Sequence, residues 1–162
     1  MIDPAITDLA QLGQQPTIAA LQAWNPAAVQ SARLDRGELT VWIERAYLRE
    51  ACALLRSGLK FTALADLTCV DWYPSEPRFE VVYHLLSMER KDRVRLKVRL
   101  AGTDLDIESV TGVWPAANFF EREVFDLFGV RFSGHPNLNR LLMPQDWKGH
   151  PLRKDYPVEG YR

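Results

Sequence analysis

Among the 162 residues no glycine is followed two positions later by another. The G-x-G-x-x-G turn of a dinucleotide-binding fold is therefore unavailable for NADH or flavin, and no G-x-x-x-x-G is followed by Lys and Ser or Thr, so a P-loop for ATP is lacking too. Cysteine is nearly absent: Cys52 and Cys69 form no C-x-x-C, so they cannot alone hold an iron–sulfur cluster or a four-Cys zinc, and they read as buried, reduced thiols. There is no H-x-x-x-H and no nucleophile elbow; Ser133 beside Gly134 and His135 is too isolated to signal one. No run of about 18 apolar residues suggests a membrane span, and the opening MIDPAITDLAQLG lacks the basic start and apolar centre of a signal peptide. The expectation is a cytoplasmic chain that meets a membrane only through a partner. A strong charge of either sign is missing too: 20 Lys and Arg against 21 Asp and Glu give a net charge of −1 and a pI near 6.3, which argues against a module that neutralises nucleic-acid phosphates. Internal repeats and low-complexity tracts are absent.

What remains, 47% hydrophobic and 25% charged residues, is the composition of one soluble domain with a real core. Residues 1–15 show no firm pattern and read as frayed. Residues 16–23 suggest a short helix with Ile18 and Leu21 on one side, stopped at Asn25-Pro26. Strands over 29–34 and 39–44 read as a hairpin around Asp35-Arg36-Gly37. Leu48, Ala51, Cys52 and Leu55 mark an amphipathic helix over 46–57, closed by Gly58. A strand over 64–72 ends at Pro74 and Pro77, and 79–88 with 93–100 form the clearest hairpin. In its second strand Val94, Leu96, Val98 and Leu100 point one way and Arg93, Arg95, Lys97 and Arg99 the other. Residues 107–111 suggest a last short strand. The fold class is α+β: a two-layer domain over 1–132, with a mixed sheet of about five strands and helices on one face, followed by an extended C-terminal tail over 133–162.

The densest stretch is 114–156. Pro115 and Gly129 frame a helix over 115–128, whose Phe120, Val124, Leu127 and Phe128 share one side while Arg122 and Asp126, one turn apart, read as an ion pair. Beyond Gly129 periodicity stops although Phe132, Leu138, Leu141, Leu142, Met143 and Trp147 are all large. With Pro136, Pro144, Pro151 and Pro157 breaking it, such a segment needs a surface to lie on. A free chain would have to expose some of these side chains, so the tail reads as an arm that lies on a partner.

Glu121, Glu123 and Asp126 together with His135 and His150 could be assembled on paper into a metal or acid–base site. Glu121 and Glu123, however, stand about 200° apart around a helix and cannot face one ion. Ion pairing with Arg122, Arg140, Arg153 or Lys154 fits better, either inside the chain or, as the favoured reading, across a subunit interface, where an unpaired charge is costly. No catalytic, cofactor-binding or metal-ligating residue is expected. The basic ladder on the second hairpin strand admits three readings: RNA binding, an acidic partner, or a face solvated or covered within the fold. The lack of an aromatic RNA-binding pattern and the charge balance weigh against the first.

The string EREVFDLFG followed by GHPNLNRLLMPQDWKGHPLRKDYP resembles the signature of the C subunit of the proton-pumping NADH-quinone oxidoreductase, respiratory complex I. It is carried by Glu121-Arg122-Glu123, Asp126, Gly129, His135, Arg140 and the run from Gly149 to Tyr156. Weaker similarity, through Asp71-Trp72-Tyr73, covers the chain from about residue 38 onward; Asn139 departs from a position where the family often has a basic residue. The resemblance implies a cofactor-free subunit of the peripheral arm, on the cytoplasmic side of the membrane, held by the D subunit and close to the B and I subunits. FMN, iron–sulfur clusters and quinone are then expected in partner subunits, and the complex as a whole carries electrons from NADH to quinone and couples this to proton export. It also marks Glu121, Arg122, Glu123, Asp126, His135, Arg140, Trp147, His150, Arg153, Lys154 and Asp155 as interface residues. Similar subunits of membrane-bound hydrogenases and of the ferredoxin–plastoquinone complex leave the electron donor open.

Overall fold

The computed structural model describes residues 5–161. Of the segment expected to be frayed, residues 1–4 lie outside the described residues, and the rest is tied down. Ile6 bridges Leu34 through two backbone hydrogen bonds of 2.9 Å, Asp8 caps helix α1 (Leu9–Leu12), and Leu12 is buried. One turn of helix is too short to leave a periodic pattern in the sequence.

Helix α2 (Pro16–Trp24) starts on Pro16 and buries Ile18 and Leu21. Strands β1 (Val29–Asp35) and β2 (Glu38–Ile43) form the expected hairpin; Arg36 and Gly37 both take positive φ, 52° and 78°, which a two-residue turn requires if it is to follow the strand twist. Helix α3 (Leu48–Gly58) buries Leu48, Ala51, Cys52 and Leu55. Gly58 is its last residue and does not terminate it: the left-handed turn falls on Lys60, and the Phe61 N–H closes back on the Leu55 carbonyl.

Strands β3 (Ala63–Asp71), β4 (Phe79–Ser87) and β5 (Asp92–Leu100) complete a five-stranded sheet in the order β1-β2-β5-β4-β3. All its pairings are antiparallel except β2 with β5, which is parallel because the chain runs through α3, β3 and β4 before returning. Phe79, Val81, Tyr83 and Leu85 of β4 alternate into the core with Val94, Leu96, Val98 and Leu100 of β5, and the helices cover that face. The α+β class, the mixed sheet and the one-sided helical layer agree with the sequence reading. Cys52 and Cys69 lie in the core as free thiols, and burial pushes the Cys69 thiol up to about 12.

The segment expected as one last strand is β6 (Asp106–Glu108), and it pairs in parallel with β7 (Arg131–Ser133) as a separate two-stranded sheet. Strand β7 was not expected: with Phe132 its only buried side chain, it is too short for alternation to register. Between them runs helix α4 (Ala117–Phe128), ended by Gly129 in the left-handed conformation (φ 79°), its N–H on the Phe125 carbonyl. From 134 to 161 there is neither helix nor strand.

Candidate interaction surface

Helix α4 buries Ala117, Glu121, Val124 and Phe128 against the sheet and turns Phe119 and Glu123 to solvent. Glu121 has no exposed surface, and its two oxygens take the Ser109 hydroxyl and the Val110 N–H, each at 2.7 Å. Ser109 Oγ in turn lies 2.8 Å from Thr111 Oγ1. Among the described residues no cation reaches this carboxyl, so burial outweighs the two hydrogen bonds and raises its pKa from 4.5 to about 7. As an interface charge Glu121 is ruled out by its burial, and its neighbour two positions on, Glu123, carries the exposed carboxylate.

Asp126 is also fully buried, and the pairing expected with Arg122 is not made. The Arg122 guanidinium instead donates to the carbonyls of Asn139 and Arg140, both at 3.0 Å. The Asp126 carboxylate takes Arg140 Nη1 at 2.7 Å and three consecutive backbone N–H groups, Leu141, Leu142 and Met143, at 2.7–2.9 Å. Burial alone would raise its pKa; the three amides and the guanidinium hold it below the ordinary carboxylate value. Arg140 also donates to the carbonyls of Asp126, Trp147 and Gly149 at 2.9–3.2 Å. Residues 140–149 are thus wound around one aspartate–arginine pair.

The same segment caps α4. An α-helix leaves its last carbonyls without partners. Here Asp126 O accepts from Arg140 and from His150 Nδ1–H, Leu127 O from the Leu152 N–H, and Phe128 O from Arg153 Nε. Two of these donors are cations at the negative end of the helix dipole. Gly129 is required twice over: for its positive φ, and because a Cβ there would lie 2.5 Å from Arg153 Nη2 and 2.6 Å from His150 Nε2. His135 is held as well, Nε2–H donating to Asn118 O and Nδ1 accepting from the Asn137 N–H.

The segment is closed at its far end by residues that sequence reasoning did not select. Asp71, at the end of β3, has no exposed side-chain surface; it takes Arg78 through both oxygens at 2.8 Å and the Lys154 N–H at 2.8 Å. Arg78 turns its other edge to Asp155 at 2.6 and 3.0 Å. Burial opposes the charge on Asp71, but Arg78 and the backbone donors outweigh it and hold the pKa at about 2. Asp71 falls in the inward-facing set of β3, and a carboxylate there was the available signal. Of the three residues expected to pair with a partner's surface, Arg153 donates to the Phe128 carbonyl and Asp155 pairs with Arg78 inside the chain, whereas Lys154 is held only by its backbone amide and its side chain is exposed.

Leu138 packs against the core and Leu141 and Met143 are half-buried, but four large apolar side chains face out: Phe119 is 62% exposed, Leu142 61%, Leu152 49% and Trp147 39%. Exposed large apolar side chains of this kind mark a candidate interaction surface. The basic ladder is covered in part within the fold. Arg95 pairs with Glu38, while Lys97 and Arg99 share the buried Glu80 with Trp42 Nε1. Among the described residues no helix is long and apolar enough to cross a membrane.

Residues 41–162 match the family described as respiratory-chain NADH dehydrogenase, 30 Kd subunit. The C subunit of the NADH-quinone oxidoreductase of Citrifermentans bemidjiense is 49% identical over 125 residues, 77% of this chain and 78% of that protein. Among solved structures, a trypsin-resistant fragment (1–134) of Nqo5 superposes with a TM-score of 0.59 at 37% identity, covering 63% of this chain and 83% of the fragment. A chain of a membrane-bound sulfane sulfur reductase, an archaeal respiratory membrane complex, superposes with a TM-score of 0.72 at 27% identity over 90% of this chain and 86% of its own length. The chain therefore belongs to the 30 Kd subunit family of respiratory-chain NADH dehydrogenase, as do the C subunits of NADH-quinone oxidoreductases.

Proposed function

We propose that this chain is a scaffold subunit of a proton-translocating NADH-quinone oxidoreductase. It holds no cofactor and performs no chemistry of its own. It docks in the peripheral arm on the cytoplasmic side of the membrane, chiefly on the D subunit and near the B and I subunits. FMN, iron–sulfur clusters and quinone belong to partner subunits, and the complex as a whole carries electrons from NADH to quinone and couples this to proton export; this chain supplies shape and a binding surface.

The observation that carries the reading is the exposure of Leu142, Trp147 and Leu152 on a segment whose backbone is fixed by Asp126, Arg140 and Asp71. The exposed Glu123 on α4 is the charge of the Glu121-Arg122-Glu123 run left for a partner. Leu142→Arg and Glu123→Lys should each leave the free chain's stability within about 0.5 kcal/mol, as surface changes do, yet reduce incorporation into the complex and its quinone reductase activity. Normal incorporation of both variants would refute the docking surface.

A second reading keeps the scaffold role and changes the complex. The likeness to a chain of a sulfane sulfur reductase favours it: the same subunit would then serve a membrane-bound hydrogenase, a ferredoxin–plastoquinone complex or a related assembly. Purification through a tag on this chain, followed by NADH oxidation assays on what co-purifies, separates the two.

A further inference from the structure

An arm that folds only on its partner would have to leave the partner-facing segment without internal anchors. Residues 133–155 have the reverse. The segment starts at the end of β7, is held in its middle by the fully buried Asp126, and is fastened at its far end to Asp71, which is separated from Lys154 by 83 positions. At the middle anchor the donors are the N–H groups of Leu141, Leu142 and Met143, so the carboxylate fixes backbone and sets the direction of the Leu142 side chain. Arg140 fixes the next stretch by its carbonyls, Trp147 and Gly149. Arg122 ties the loop to the helix face that carries Phe119, its guanidinium 6.0 Å from that ring and on the carbonyls of Asn139 and Arg140.

We propose that Asp126 and Arg140 are positioning residues for assembly: they hold 133–155 as a closed loop in the free subunit, so that the exposed Phe119, Leu142 and Trp147 meet the neighbouring subunit already in place and docking involves no coupled folding. The proposal rests on the docking reading given above. The occupant is a neighbouring subunit of the complex, with a complementary apolar groove rather than a charged cleft. Two features select that chemistry: the protruding side chains are uncharged, and the exposed charges beside them in sequence, Glu123, Asp146 and Lys148, sum to one negative and make no ion pair among the described residues. An apolar centre with such a polar margin is how protein interfaces are built. A loop already in its bound form spares the ordering entropy that weakens association of disordered segments.

The test uses the full-length chain and the complex purified from cells that lack it. In the free chain the amides of Leu141, Leu142 and Met143 should exchange at least ~100-fold slower than unstructured amides. Asp126→Ala should bring those three to the unstructured rate while the amides of β4 and β5 keep theirs. The variant should also bind the deficient complex at least about 10-fold more weakly, since only the fraction with a formed loop is competent. Should Asp126→Ala fail to fold, Arg140→Lys keeps the charge, loses the fork to three carbonyls, and should show the same pattern in part. Rapid exchange at 141–143 in the free wild-type chain overturns the proposal, as does undiminished binding by a variant whose loop amides have lost protection. Leu142→Arg and Glu123→Lys separate the two levels: retained protection with normal binding by both would sink the docking reading and leave the preformed loop standing.

Discussion

At the scale of single residues the chain is governed by its buried carboxylates, which among the described residues are Asp71, Glu80, Glu121 and Asp126. Asp71 and Asp126 meet guanidinium groups and clusters of N–H donors and stay ionised, whereas Glu121 meets one hydroxyl and one amide and is pushed up to about 7. Below pH 4.5 the Glu121 carboxyl is protonated in both folded and unfolded chains. Between 4.5 and 7 the folded chain retains a proton that the unfolded chain has lost, so this residue makes stability fall as pH rises, by on the order of 3 kcal/mol in all. Glu121→Gln cannot ionise; its carboxamide still accepts from Val110 N–H and can donate to Ser109 Oγ. Thermal melts should show the variant gaining on the wild type between about pH 5 and 8, by roughly 5–10 °C, and a constant difference across that range would rule this out. Asp71 has the opposite sign: its contribution is present above 3.8 and is lost as pH falls toward 2. Arg78→Ala leaves that carboxylate buried without its cation and should cost about 3–5 kcal/mol in denaturant titrations. It should also free the 153–155 latch, read as faster tryptic cleavage at Arg153 and Lys154. Unchanged cleavage would separate the ion pair from the loop's closure.

At the scale of elements, legibility in the sequence follows the range of the interactions involved. The β4–β5 hairpin and α3 were readable because each is specified by its own alternation or period, and both lie within a residue or two of expectation. The left-handed end of α4 was readable from Gly129 for the same reason. Strand β7 and helix α1 were not, since three or four residues do not make a pattern. The return of 140–155 onto α4 was least legible of all. Asp126 is met there chiefly by backbone N–H groups, which every residue type but proline supplies, so no side-chain signature marks the contact. The tail's lack of periodicity was legible; that part of it folds back on the end of its own helix was not. Glu121, Arg122 and Glu123, adjacent in sequence, divide into a core acid, an internal clamp and an exposed charge, because a helix turns each to a different environment.

For the whole molecule, a scaffold role predicts a colourless protein. Purified from its natural host or a heterologous one, the chain should contain no stoichiometric iron, zinc or flavin by metal analysis and absorbance spectroscopy, and calorimetry with NADH should detect no binding. Any of these at one equivalent would replace the scaffold reading.

The bond from the Lys154 amide to Asp71 closes a circuit of 83 positions, and the loop it fastens can take its shape only when β3, β4 and α4 already stand in place. A chain with a misregistered strand or an unwound α4 has no Asp71 pocket and no helix end to receive Arg140, His150 and Arg153. On the docking reading proposed above, a partner that binds these exposed side chains would bind only a finished domain, and assembly would then double as proofreading: half-made copies carry the same apolar side chains but not their arrangement.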